Sequence, residues 1–109
     1  MTHKMRLVGF AFEAIKNGTK DIEVRLNDEK RRLINVGDTI IFTNLDTSEE
    51  LNVSVVNLYR YDTFKELFDA FPHKRLGLKD NDSESIMNSF YTLEEEKEYG
   101  VLGIEIKLI

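Results

Sequence analysis

The chain contains no cysteine. That absence removes disulfides, thiolate nucleophiles and cysteine-ligated metals together, and it gives no sign of an oxidising compartment. Histidine is nearly as scarce: His3 and His73 stand far apart, without acidic residues at ligand spacing. A metal site is therefore not expected, and both rings are expected at the surface. No glycine-rich phosphate loop follows any strand-like segment, and nothing in the sequence asks for a cofactor. No apolar run suited to a signal peptide follows Met-Thr-His-Lys-Met-Arg, and nowhere do about 18 apolar residues run together. Membrane insertion is excluded on this reading, and a cytoplasmic location fits best.

What is present reads as one folded domain over residues 1–109. The chain is 41% hydrophobic and 10% aromatic, ordinary values for a modest single core. Its net charge of −5 looks hostile to nucleic acid, but the acidity is local. Residues 1–79 carry 13 basic and 12 acidic side chains, whereas residues 80–109 carry 2 and 8. Charges more than about 10 Å apart are largely screened from one another, so a basic groove in the first two-thirds could still attract phosphate.

Periodicity gives the elements. Met5 to Phe10 reads as a strand, and Phe12 with Ile15 as the apolar pair of a short helix closed by Gly18. Residues 27–36 form a polar connection anchored by Leu33 and Ile34. After Gly37-Asp38, the run Thr39 to Thr43 reads as a buried strand, and Leu51 to Tyr59 as its antiparallel return. Asp62-Thr63 caps a helix carrying the stripe Phe64, Leu67, Phe68, Phe71 that ends at Pro72, a core pattern rather than a ligand box. Ser83 to Tyr91 reads as a second helix, Thr92 opens a short third, and the chain closes on a strand from Gly100.

The segment Lys16-Asn-Gly-Thr-Lys-Asp-Ile-Glu-Val-Arg-Leu26 carries the most chemical information. By the two-residue period of a strand, Ile22, Val24 and Leu26 share one face while Asp21, Glu23 and Arg25 share the other. A solvated sheet face would explain such a pattern. The alternative is a cleft in which Arg25 presents a rigid donor fork and Lys20 a mobile point charge beside the Glu23 carboxylate.

Strand-like segments with helices inserted between them, several joined by hairpin-length loops, predict an α+β fold: a small mixed β-barrel with helices covering its openings. A doubly wound parallel sheet is disfavoured, because a helical crossover does not follow each strand. The residues Ile15-Lys-Asn-Gly18-Thr-Lys20-Asp-Ile-Glu23-Val-Arg25, Val36-Gly37-Asp38-Thr-Ile-Ile-Phe, Tyr61-Asp-Thr-Phe64 and Tyr99-Gly100-Val-Leu-Gly-Ile resemble the ASCH domain family over nearly the whole chain. The resemblance implies a barrel similar to the PUA RNA-binding domain. It also implies a cleft beside the barrel, floored by the Gly-x-Lys-x-x-Glu-x-Arg strand, that binds RNA or a nucleotide-like small ligand.

One bacterial branch of that family resembles an acetylcytidine amidohydrolase using a lysine, a threonine and a glutamate. Lys20 matches the lysine, but the threonine falls on Glu23, and a carboxylate cannot form the readily resolved acyl intermediate of an activated hydroxyl. Thr19 precedes the lysine, and Asp80, Asp82 and Glu84 are loose candidates for the third group. Whether the chain is an enzyme is therefore open. A small amidohydrolase- or nuclease-like hydrolase of a modified nucleoside or RNA, with Lys20 and Glu23 in acid–base roles, is the alternative to a binding module.

Further candidates for the cleft are Tyr61, at a strand-to-helix corner where it could stack on a base, and Ser89 and Tyr91 at the end of the second helix. Tyr59 shares the face of Tyr61. Lys30-Arg31-Arg32 and Lys74-Arg75 are ordinarily solvated loop charges, with phosphate steering as a minority reading. No motif specific for DNA is present. An acidic protein-interaction module built on the C-terminal third is a third reading. Oligomeric state and ligand identity are not written in the sequence.

Overall fold

The computed structural model describes residues 1–109. Five strands, β1 (Thr2–Leu7), β2 (Ile22–Leu26), β3 (Thr39–Asn44), β4 (Glu50–Tyr61) and β5 (Val101–Leu108), form one mixed sheet in the order β1-β3-β4-β5-β2. β1 lies parallel to β3, and every other pairing is antiparallel. A register shift between Val55 and Asn57 bends the long β4 and helps curl the sheet into a half-barrel. The helices α1 (Gly9–Lys16), α2 (Phe64–Ala70) and α3 (Leu93–Tyr99) and three short 3₁₀ segments surround it. The expected α+β architecture of barrel plus covering helices is found. No helix is long and apolar enough to cross a membrane.

Hydrophobic residues cover both faces of the sheet where β5 runs. Leu102, Ile104 and Ile106 face an inner core with Phe12 and Ile15 of α1, Phe42 of β3 and Val53 and Val55 of β4. Val101 faces a second core in which Ile22 and Leu26 of β2 meet Phe64, Leu67 and Phe68 of α2. The α2 stripe is thus core, as its spacing required, although Phe71 lies just past the helix in extended backbone. Thr63 caps α2 by accepting from the Glu66 N–H, and Thr92 with Glu95 forms a reciprocal capping box on α3.

Four expectations need correction. The first strand is Thr2–Leu7, not 5–10: Met5 and Leu7 already supply its inward positions, and Val8 is extended backbone ahead of α1. The second helix is a 3₁₀ segment, Glu84–Ser89, in a stretch whose serines and asparagine compete with regular helix bonding through their own side chains. Of the two proposed anchors in the 27–36 connection, Ile34 is buried but Leu33 is exposed. His3 is not a surface ring: its Nε2 lies 2.8 Å from Asp38 Oδ2, and the side chain is almost wholly covered. The Asp38 carboxyl, bonded by His3 and by the Asn35 N–H, is held down at about 2.

Candidate functional site

The end of α1 positions the first charged side chain. Gly18 adopts φ 86° and turns the chain out of the helix, so that the Lys20 N–H reaches back to the Ala14 carbonyl at 3.0 Å. β2 then pairs with β5, placing Glu23 opposite Ile104 and Arg25 opposite Leu102. Directly opposed residues share a face, so Glu23 and Arg25 look toward the inner core at the open edge of the half-barrel. The alternation read from the sequence is present over Ile22–Leu26, and the face of Glu23 and Arg25 is not solvated, whereas Asp21 ahead of the strand is partly exposed.

Here the three charges converge. Lys20 Nζ lies 2.9 Å from Glu23 Oε1, and Arg25 Nε lies 2.6 Å from Glu23 Oε2. The Arg25 Nη2 donates to the Arg6 carbonyl at 2.8 Å, tying β2 to β1 across the gap between the two sheet edges. Glu23 is 5% exposed, and its cations are nearly as covered. Burial alone would push the Glu23 carboxyl up, but the Lys20 ammonium and Arg25 guanidinium outweigh it and hold the group below its ordinary range. The same balance works in reverse on Arg25, where burial opposes the charge and Glu23 raises the pKa.

A cleft of about 260 Å³ opens above this triplet. Its lining is predominantly hydrophobic, with Phe68, Leu76, Leu78, Ile86 and Met87 among the walls, and Glu23 is its one carboxylate against the cations Arg6, Lys20 and Arg25. Gly77, at φ 77°, closes one wall against the Lys20 stem: a Cβ there would meet Lys20 Cδ at 2.7 Å. The 3₁₀ segment His73–Leu76 that carries this wall is fixed from behind. Arg75 holds both Asp21 oxygens, at 2.9 and 3.2 Å, and its carbonyl accepts from the Asp21 N–H.

A buried carboxylate between two cations at the base of an apolar cleft is built on the Gly-x-Lys-x-x-Glu-x-Arg strand, and the ASCH domain family model matches residues 5–109. The chain belongs to the ASCH domain family. This ASCH domain is similar along its full length to the crystal structure of the hypothetical protein PH0355, with 39% identity, 100% coverage of both chains and a TM-score of 0.88. It is also similar to the solution structure of protein PF0455 from Pyrococcus furiosus, with 35% identity, coverage of 100% of this chain and 98% of that one, and a TM-score of 0.78. No curated protein matches it.

The structure brings some of the sequence candidates together and separates others. Tyr91 lines the cleft with Lys20, Glu23 and Arg25, and burial raises its phenol pKa. Ser89 is exposed and outside the cleft lining. Tyr61 lies in a different depression, with Asn27, Arg60 and Tyr99 around it. Tyr59 donates to Glu105 at 2.7 Å and packs edge-on against Phe71. Neither basic run rims the cleft: Arg31 pairs with Asp28, Arg32 reaches the Tyr99 carbonyl, and Arg75 is held by Asp21. Thr19, Asp80, Asp82 and Glu84 also lie outside the lining.

Sequence reasoning missed the mouth. Phe10 and Phe90 line the cleft while remaining 73% and 61% exposed, and Leu45 stands with them. A signal exists for Phe10, which falls off the Phe12–Ile15 stripe and so has no core position to fill. For Phe90 the irregular 3₁₀ backbone leaves no periodicity to read.

Proposed function

We propose that this ASCH domain is a binding module that takes one nucleobase, from RNA or from a nucleotide-like small ligand, into the cleft. The family as a whole is generally thought to bind RNA. The observation that carries the reading for this chain is the triplet Lys20–Glu23–Arg25 at the base of an apolar cleft. Buried charges are costly unless they are paired and hydrogen-bonded, and these pairs leave spare capacity. Lys20 has three N–H donors and uses one on Glu23, and Arg25 Nη1 has no protein partner. The apolar walls suit the faces of a flat ring, and the polar base suits its edge.

Size and rim support a single inserted base with the rest of the ligand outside. The cavity of about 260 Å³ lies below the range of roughly 300–1,000 Å³ typical of drug-sized ligands. Exposed Phe10 and Phe90 offer flat surfaces on which neighbouring bases of a single strand can stack, and Arg6 offers a cation to the backbone. A cytoplasmic setting accords with the cysteine-free composition.

A hydrolase would need a nucleophile and a group free to move a proton. The cleft lining offers no serine or threonine and no second carboxylate, and Glu23 is held between two cations. The binding reading therefore stands ahead. A thermal-shift screen of wild type and Lys20→Ala against nucleosides, nucleotides, acylated cytidines and short single-stranded RNAs tests it, with each mixture checked for products. Ligand at a hundred times its Kd stabilises by about 2.7 kcal/mol, so wild type should gain several degrees while Lys20→Ala gains little and the ligand is returned unchanged. Products that vanish in Lys20→Ala would move the assignment to hydrolase.

A further inference from the structure

The order of groups along the base of the cleft bears on which base fits. Lys20 bonds one oxygen of Glu23 and Arg25 bonds the other, so the carboxylate stands between two donors. An ionised carboxylate accepts only, at about four lone-pair sites, of which the two cations use one on each oxygen. Lys20 and Arg25 donate only. Along the cleft lining, the three groups therefore run donor, acceptor, donor.

The edge complementary to that order is acceptor, donor, acceptor. Among the bases of RNA it belongs to uracil, whose imide places N3–H between the O4 and O2 carbonyls. Cytosine would set its N3 lone pair against the Glu23 carboxylate and its amino group against a cation. Adenine likewise turns the N1 lone pair toward Glu23. Guanine matches at O6 and N1–H but directs its 2-amino group at a donor. At a carboxylate this covered, each mismatch leaves a buried polar or charged group without a partner, and that penalty against the wrong base decides selectivity.

Resting on the proposed role of this cleft as a base-binding site, we infer that its floor selects the cyclic imide edge of uracil over the other RNA bases. Glu23 accepts from N3–H, while Lys20 and Arg25 donate to the flanking carbonyls. Tyr91, a hydroxyl on the same wall, bounds the ring. Thymine presents the same edge, so the floor reads the imide and not the sugar.

Calorimetric titration of the intact protein with uridine, 3-methyluridine, cytidine, adenosine and guanosine 5′-monophosphates tests the inference, because the shared ribose phosphate cancels in the comparison. Uridine monophosphate should bind at least ~10-fold tighter than cytidine monophosphate and than the 3-methyl analogue, in line with the value of one well-made base-edge pairing. Guanosine monophosphate should come next. Equal affinities across the series that are all lost in Arg25→Met would overturn the imide while leaving the cleft as a ligand-binding site. Affinities untouched by Arg25→Met would remove the site and the inference together. Glu23→Gln adds a swap that the analogue series does not depend on: its amide offers a donor to cytosine N3, so the folded variant should move the preference toward cytidine monophosphate.

Discussion

Residues 20–25 carry two charged clusters within a few positions of each other, and they behave as opposites. Asp21 pairs with Arg75 through both oxygens, with Glu105 3.5 Å from the same guanidinium; Asp21 is 41% exposed. Each partner is engaged, and solvent screens the whole group. Lys20 and Glu23 are buried and Arg25 is mostly covered; they carry two cations to one carboxylate and retain donors that no protein group uses. The first cluster fastens the 73–76 segment onto the sheet; the second lines the proposed binding cleft with donors to spare. Two charge clusters that look alike in sequence are thus separated by burial and by unused hydrogen-bonding capacity.

Removing the acid from each cluster gives the sharpest break of that comparison. Glu23→Ala strands two covered cations, and losing one partner of a buried pair costs on the order of 3–5 kcal/mol. Asp21→Ala should cost less than about 1 kcal/mol, as exposed pairs do. Urea denaturation of the two variants measures the gap, and equal losses would erase the distinction between the clusters.

Two glycines sharpen it further. Gly77 and Gly18 both hold left-handed backbone, but only a Cβ at Gly77 meets Lys20. Gly77→Ala and Gly18→Ala should each cost about 1–3 kcal/mol of backbone strain. Ligand affinity should fall in Gly77→Ala alone, because the Lys20 stem must move; thermal unfolding with and without a bound RNA or nucleotide separates the two effects.

Acid reads the buried cluster and one other site. Glu23 is held below its ordinary pKa in the folded protein, and Asp38 is held at about 2, whereas both titrate near 4 when unfolded. A depressed folded pKa gives stability that is present above the unfolded value and lost as pH falls through the folded one. The melting temperature should therefore hold steady from neutral pH to about 5 and drop between about pH 4 and pH 2. Asp38→Asn should flatten part of that drop and leave the remainder.

A smaller effect concerns salt. Raising ionic strength should weaken whatever the Arg75 cluster contributes and leave the buried triplet nearly unchanged. The stability difference between wild type and Asp21→Ala should shrink at high salt, while that between wild type and Glu23→Ala persists.

Much of the fold is legible in the sequence. The period-two alternation at residues 22–26, the Phe64–Phe68 stripe and the Thr92-x-x-Glu95 box are local patterns, and each forms the element it implies. What local pattern cannot supply is the covering of both faces of β2, because that depends on β5 bringing Ile104 opposite Glu23 and on the sheet curling until Arg25 reaches Arg6. Tyr61 reads as a cleft residue from its place before α2, but the length of β4 carries it to another depression. Phe90 escapes a reading by pattern because its irregular backbone has no period, whereas Phe10 is marked only by falling off the core stripe of its helix.

The most direct measurement is a backbone amide chemical-shift titration of the ¹⁵N-labelled domain with a short single-stranded RNA. The account predicts perturbations at residues 20–25 and at Phe10, Gly77, Phe90 and Tyr91, absent in Arg25→Met. Perturbations centred instead on Tyr61, Tyr99 and Asn27, or unchanged by Arg25→Met, would contradict it.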